Sequence, residues 1–130
     1  MNQRAEHSVR PLAEQLGASL MMPLDVQQPG ELEALFARIA EEWGRLDFVI
    51  HSIAFAPRED LHGRVVDCSA EGFTQAMRVS CRSFLRMADP AEPLMTAGGV
   101  LVTMRYYGAD KVVGNYNIMG PVKAALEGSA

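Results

Sequence analysis

Tyr106, Tyr116 and Lys123 are the side chains of this 130-residue sequence whose types and spacing can do chemistry. They lie in the run from Tyr106-Tyr107-Gly108-Ala109 through Asn115-Tyr116-Asn117-Ile118-Met119-Gly120-Pro121-Val122-Lys123, just after the apolar stretch Val100-Leu101-Val102-Thr103-Met104. Tyr116 and Lys123 are seven positions apart, and seven steps of about 100° return a side chain to within roughly 20° of its first direction on an α-helix. The spacing predicts phenol and ammonium on one helical face. A lysine beside a tyrosine stabilises developing phenolate charge and donates to ribose hydroxyls, which suits a site where a phenol hydrogen-bonds a carbonyl during hydride transfer. A pair of this kind on its own is more often an amphipathic core tyrosine with a solvated helix charge, because such spacings arise by chance. The residues around it decide.

Those residues predict alternating helices and strands. Arg4 to Leu16 reads as a helix ended by Gly17, with Pro11 either interrupting it or marking a later start. Ala18 to Met22 reads as a short apolar strand. Pro29 suits the first helical position, with Glu31 in the first turn, of a helix that Gly44 stops. Its apolar stripe is Leu32, Leu35, Phe36, Ile39, Ala40 and Trp43, a structural face for packing on a sheet. Leu46 to Ile53 reads as a strand whose Phe48-Val49-Ile50 centre suits burial on both faces of a parallel sheet. A loop to about Ser69, a helix over Ala70 to Met87, a strand over Val100 to Met104 and a last helix from Asn115 or Tyr116 to Glu127 complete the series. Such alternation implies right-handed crossovers and a Rossmann-like α/β architecture. Ligands of open α/β sheets gather beyond the carboxyl ends of the strands, where this reading puts Asp25, Ser52 to Ala54 and Tyr106.

The composition narrows the partners. Twelve basic against sixteen acidic residues, with no basic cluster, argue against nucleic acid. No apolar run approaches the roughly 18 residues that span a bilayer, so no membrane partner and a cytoplasmic location are expected. Cys68 and Cys81 form neither a disulfide framework nor a zinc pattern, and His7, His51 and His62 lack metal-site spacing; no metal is expected. The eight methionines read as fillers of core gaps.

Together with His51-Ser52-Ile53-Ala54-Phe55-Ala56, the tyrosine–lysine run resembles the NADH-dependent enoyl-acyl carrier protein reductases, a divergent branch of the short-chain dehydrogenase/reductase superfamily. The resemblance extends from Arg10-Pro11-Leu12-Ala13-Glu14 through Leu24-Asp25-Val26, Trp43-Gly44-Arg45-Leu46-Asp47 and Gly72-Phe73 to Glu127. It implies hydride delivery from NADH, with NADPH left open, to the β-carbon of a trans-2-enoyl thioester on acyl carrier protein. Tyr116 would hydrogen-bond the thioester carbonyl and Lys123 would hold the nicotinamide ribose. Tyr106 would be the second active-site tyrosine. Asp25 and Val26 would meet the adenine region, and Ser52, Ile53 and Ala54 would pass beside the cofactor. A homotetramer is implied for the complete form. Arg105 and Gly114 depart from the family pattern, which commonly has a small polar residue and a proline at these places.

The resemblance also implies what the sequence lacks. Residues 1–130 read as the central fragment of a single Rossmann-like reductase domain: a doubly wound parallel sheet without its first two strands, its glycine-rich phosphate turn and its C-terminal strands. In the strand order 3-2-1-4-5-6, Ala18 to Met22 would be strand 3 and Leu46 to Ile53 strand 4, with two strands wanting between them. The chain alone is then expected to lack turnover. Two other readings stand beside the reductase: a non-catalytic remnant that associates with full-length subunits through its helices, and another short-chain dehydrogenase such as a 3-oxoacyl reductase, which the tyrosine–lysine spacing disfavours.

Overall fold

The computed structural model describes residues 5–130, so the expected helix start at Arg4 lies outside the described residues. The first helix, α1, is Glu6–Gln15 and runs through Pro11. It ends as expected at Gly17, whose φ of 66° lets the Gly17 and Ala18 amides turn back to the carbonyls of Glu14 and Ala13. The second helix, α2, is Glu31–Trp43. Gly30, at φ 84°, is its N-cap, so Pro29 stands before the helix and not in its first turn. Gly44, at φ 69°, closes it. Of the predicted stripe, Leu32, Phe36 and Ile39 are buried, whereas Trp43 reaches the surface and donates from Nε1 to Ser19 Oγ at 2.9 Å.

The sheet has two strands, β1 at Phe48–His51 and β2 at Val100–Thr103, paired in parallel with Phe48 opposite Val100 and His51 opposite Thr103. Residues 52–77 form the loop after β1 and helix α3, Ala70–Met77, which Ser69 caps by accepting from the Gly72 amide. The helix continues through a π segment, Arg78–Arg82, into α4, Ser83–Ala91, four residues beyond the expected end at Met87. The last helix, α5, is Met119–Glu127.

Two expectations are corrected here. Ala18 to Met22 is not a strand: no described strand lies beside it, and an extended segment with no ladder partner is only a connection. Nor is β1 covered on both faces. Val49 and Leu101 point into a core with Leu32, Phe36, Ile39, Val79 and Met87, but Phe48 and Ile50 remain 61% and 57% exposed, and Val100 and Val102 58% and 41%. Helices α2 and α4 cover one face of the sheet. A second core, built from Ala76, Phe84, Ile118, Met119, Val122 and Leu126, seats α5 against the π segment and α3.

Candidate active site

The carboxyl ends of β1 and β2 carry the site because parallel strands deliver their following loops to the same edge. After β2 the chain passes Met104 and Arg105 in irregular conformation, sets Tyr106 in extended backbone (φ −138°, ψ 148°) and enters a single 3₁₀ turn, Tyr107–Ala109. The rings of Tyr106 and Tyr116 then meet, centroids 4.5 Å apart and planes tilted by 50°. Gly108 makes this approach possible: a Cβ there would lie 2.4 Å from Tyr116 Cδ1 and 3.3 Å from Tyr106 Cδ1. Gly120 has a similar role, since its Cβ would lie 3.0 Å from the Gly108 carbonyl oxygen.

Tyr116 is not on the helix, which corrects the helical-face argument. Asn115 and Asn117 stand at φ 59° and 38°, and α5 begins at Met119. Left-handed backbone is inconsistent with a continuing α-helix, and asparagine tolerates it better than other non-glycine residues. Asn117 also donates from Nδ2 to the His62 carbonyl at 3.0 Å, tying the Tyr116 turn to the loop after β1. Among the described residues no hydrogen bond joins the Tyr116 hydroxyl to Lys123. Burial first, and Tyr106 second, hold the Tyr116 phenol above its ordinary titration range, so it is a neutral hydrogen-bond donor.

Lys123 lies on α5 and is only 6% exposed. Its Nζ donates to the carbonyl of Met104 at 2.6 Å, just past the end of β2. Burial lowers its titration from the ordinary lysine value. The amine is therefore held at the strand ends by a backbone acceptor that no side-chain pattern announces. Arg105 is engaged by the carboxylates of Asp110 and Glu127, the latter at 3.1 Å, so this departure from the family pattern bridges the post-strand turn to the end of α5. Gly114 is exposed and has nothing near its Cβ position.

Ser52 and Ala54 are exposed beyond β1, while Ile53 packs against the first core. The loop they begin is fixed by Ser80 of the π segment, whose Oγ accepts from the Phe55 amide at 2.9 Å and donates to the Phe55 carbonyl at 3.0 Å. A π turn is a common local device at functional sites. Asp25 caps its own turn, accepting from the Gln27 amide at 2.9 Å, and Val26 is buried in the first core with its carbonyl bonded to Arg86 Nη1 at 3.0 Å. Tyr106, Tyr116 and Lys123 thus gather around the end of β2, Ser52 to Ala54 follow the end of β1, and Asp25 and Val26 sit in the turn before α2. Sequence reasoning missed Ser80, Ser83, Thr103 and the Met104 carbonyl. Among the described residues, no group of three or more histidine, cysteine or acidic side chains could hold a metal, and no helix is long and apolar enough to cross a membrane.

Fold and site together define a Rossmann-like α/β chain of the short-chain dehydrogenase/reductase type. A family model described as enoyl-(acyl carrier protein) reductase matches residues 1–130, and the chain belongs to that family. It is 47% identical over 124 residues to the enoyl-acyl-carrier-protein reductase (NADH) FabI of Rickettsia bellii, a match covering 95% of this chain and 47% of the relative. A Synechocystis enzyme of the same name is also 47% identical, with 95% and 48% covered. The chain spans about half the length of the curated relatives it matches. Among solved structures, the reductase of Anaplasma phagocytophilum in complex with NAD aligns at TM-score 0.94 and 49% identity, over 99% of this chain and 49% of that one. The Aquifex aeolicus reductase aligns at 0.94 and 42%, over 98% and 51%.

Proposed function

We propose that residues 1–130 carry the reducing centre of an NADH-dependent enoyl-acyl carrier protein reductase, as the central part of one Rossmann-like domain acting in the cytoplasm as a homotetramer. The observation that carries this reading is the convergence at the end of β2 of a neutral Tyr116, ring-packed on Tyr106, with a buried lysine held by the Met104 carbonyl. The residues suit the nicotinamide half of the cofactor: small side chains at Ser52 and Ala54 leave room beyond β1, and Lys123 provides ammonium protons for ribose hydroxyls. Asp25 and Val26 mark the adenine side. When bound, the cofactor supplies hydride to the β-carbon of the enoyl thioester.

The chain's own groups do the rest. Tyr116, kept protonated by burial, donates its hydroxyl proton in a hydrogen bond to the thioester carbonyl and stabilises the enolate oxygen as charge develops there. The tilted ring of Tyr106 packs against the ring of Tyr116. Lys123 orients the ribose and lends positive potential to the same edge. The enolate then takes a proton from solvent at the α-carbon, which completes the addition of two hydrogens across the double bond.

The test is a chimera in which residues 1–130 replace the matched segment of the Rickettsia bellii relative. It is expected to oxidise NADH with a crotonyl thioester, and Tyr116→Phe is expected to lower kcat about a hundredfold or more. The isolated chain is expected to show no turnover. A folded chimera whose rate is untouched by Tyr116→Phe would remove the assigned role.

A further inference from the structure

His51 stands outside this chemistry, yet it is 1% exposed and both its ring nitrogens are engaged. Nε2 lies 2.7 Å from Ser83 Oγ on α4, and Nδ1 lies 3.1 Å from Thr103 Oγ1 at the end of β2. The Ser83 hydroxyl proton is committed to the Val79 carbonyl at 2.6 Å. Ser83 Oγ then accepts from the imidazole, which places the proton on Nε2 and leaves Nδ1 to accept from the Thr103 hydroxyl, for which it is the nearer acceptor at 3.1 Å, the His51 carbonyl lying 3.4 Å from the same oxygen. The imidazole is neutral, satisfied at both nitrogens, and met edge-on by Phe84 at 5.6 Å and 69°.

The residue after Thr103 is Met104, and its peptide is held from two sides. Its amide donates to the His51 carbonyl at 3.3 Å, and its own carbonyl accepts from Lys123 Nζ at 2.6 Å. We infer that His51 is a positioning residue for Lys123: the imidazole, through Thr103, and the His51 carbonyl together pin the end of β2 so that the Met104 oxygen faces the ammonium. This rests on the reading of Lys123 as the ribose-holding residue. A second cationic charge on the imidazole would turn the Thr103 hydroxyl proton away and stand in the field of Lys123, the charged group that acts on the ring among the described residues. The neutral tautomer is thus the one that keeps the arm in place.

The chain contains two lysines, Lys111 and Lys123, and three histidines, so both sides of the relationship can be followed by NMR on the intact chain with isotope-labelled lysine and histidine. At neutral pH the wild type is expected to show His51 protonated on Nε2 alone, with Lys123 titrating below the ordinary value of 10.5. Thr103→Val, which keeps the side-chain shape and removes the hydroxyl, and His51→Phe, which keeps a ring against Phe84, should each lower the Lys123 titration further, by about half a unit or more, because the carbonyl hydrogen bond that favours its ammonium form loosens. The exposed Lys111 signal should not move. His51→Asn places Oδ1 near the Nδ1 position and should restore the Lys123 titration even though its unmatched amide proton lowers thermal stability. A purely structural histidine would instead make the Lys123 titration indifferent to which variant is used. An Nδ1-protonated or cationic His51 in the wild type overturns the inference before any variant is made, and an unmoved Lys123 in Thr103→Val overturns it afterwards. None of these readouts needs turnover, so an inactive chimera with the NMR coupling intact would count against the reductase reading alone.

Discussion

Tyr106 and Tyr116 hold their rings 4.5 Å apart because residue 108 between them has no side chain. A methyl group at Gly108 would sit 2.4 Å from Tyr116 Cδ1, inside any real contact distance. Gly108→Ala is therefore expected to push Tyr116 off Tyr106 and to destabilise the chain by about 1–3 kcal/mol, the usual range for overpacking. Thermal unfolding together with the loss of tyrosine ring-ring NMR contacts checks this. An unchanged ring contact would mean that the 3₁₀ turn yields more easily than its packing implies.

Lys123 separates binding from stability. Lys123→Met keeps the length and apolar stem of the side chain and removes a charge that burial already disfavours, while leaving the Met104 carbonyl unmatched. These effects oppose, so the stability change should stay within about 1–2 kcal/mol. NADH affinity in the chimera should fall roughly tenfold to a hundredfold, as expected for lost hydrogen bonds from a charged donor. Tyr106→Phe should weaken binding less. Fluorescence titration of the two variants decides, and equal affinities would take the ribose role from Lys123.

The acid side of the stability curve belongs in part to His51. Burial first, and the Lys123 charge second, lower its titration in the folded chain from the ordinary 6.5. The unfolded chain then binds the proton more readily, so the stability His51 contributes is complete above about pH 6.5 and is lost as the pH falls from there through the folded-state value. Denaturant unfolding from pH 7.5 down to pH 5.5 should show stability falling by up to about 1.4 kcal/mol per pH unit for this one proton. The same series on His51→Phe should lose that part of the slope. Identical slopes in the two proteins would contradict the prediction.

The open sheet face predicts association. Phe48, Ile50, Val100 and Val102 form a contiguous apolar surface in which Ile50 lies opposite Val102, and surfaces of this kind seek cover. Ile50→Lys combined with Val102→Glu places opposite charges on one cross-strand pair, worth about 0.2–1 kcal/mol, and should reduce self-association measured by light scattering with little change in unfolding temperature. A double variant that unfolds would show that the face is covered in solution.

The helices, the two paired strands at Phe48–His51 and Val100–Thr103, the Schellman-type stop at Gly17, the left-handed close at Gly44 and the buried trio Leu32, Phe36 and Ile39 were legible in the sequence, because periodicity and glycine chemistry act over a few neighbouring residues. The seven-residue interval from Tyr116 to Lys123 suggests one helical face, but Asn115 and Asn117 turn the backbone left-handed and place Tyr116 ahead of α5, so it is the turn and not the helix that sets Tyr116 against Tyr106. The Asn-Tyr-Asn pattern held that signal. Apolar composition alone could not make Ala18 to Met22 a strand or bury Phe48 and Ile50, since a strand exists only with a ladder partner and a face is buried only by what lies over it. The tautomer of His51, the grip of Ser80 on Phe55 and the bond from Lys123 to the Met104 carbonyl join residues 19 to 32 positions apart or link a side chain to backbone. Such partners have no local pattern, and only the packing of α4 and α5 against the ends of two parallel strands brings them together.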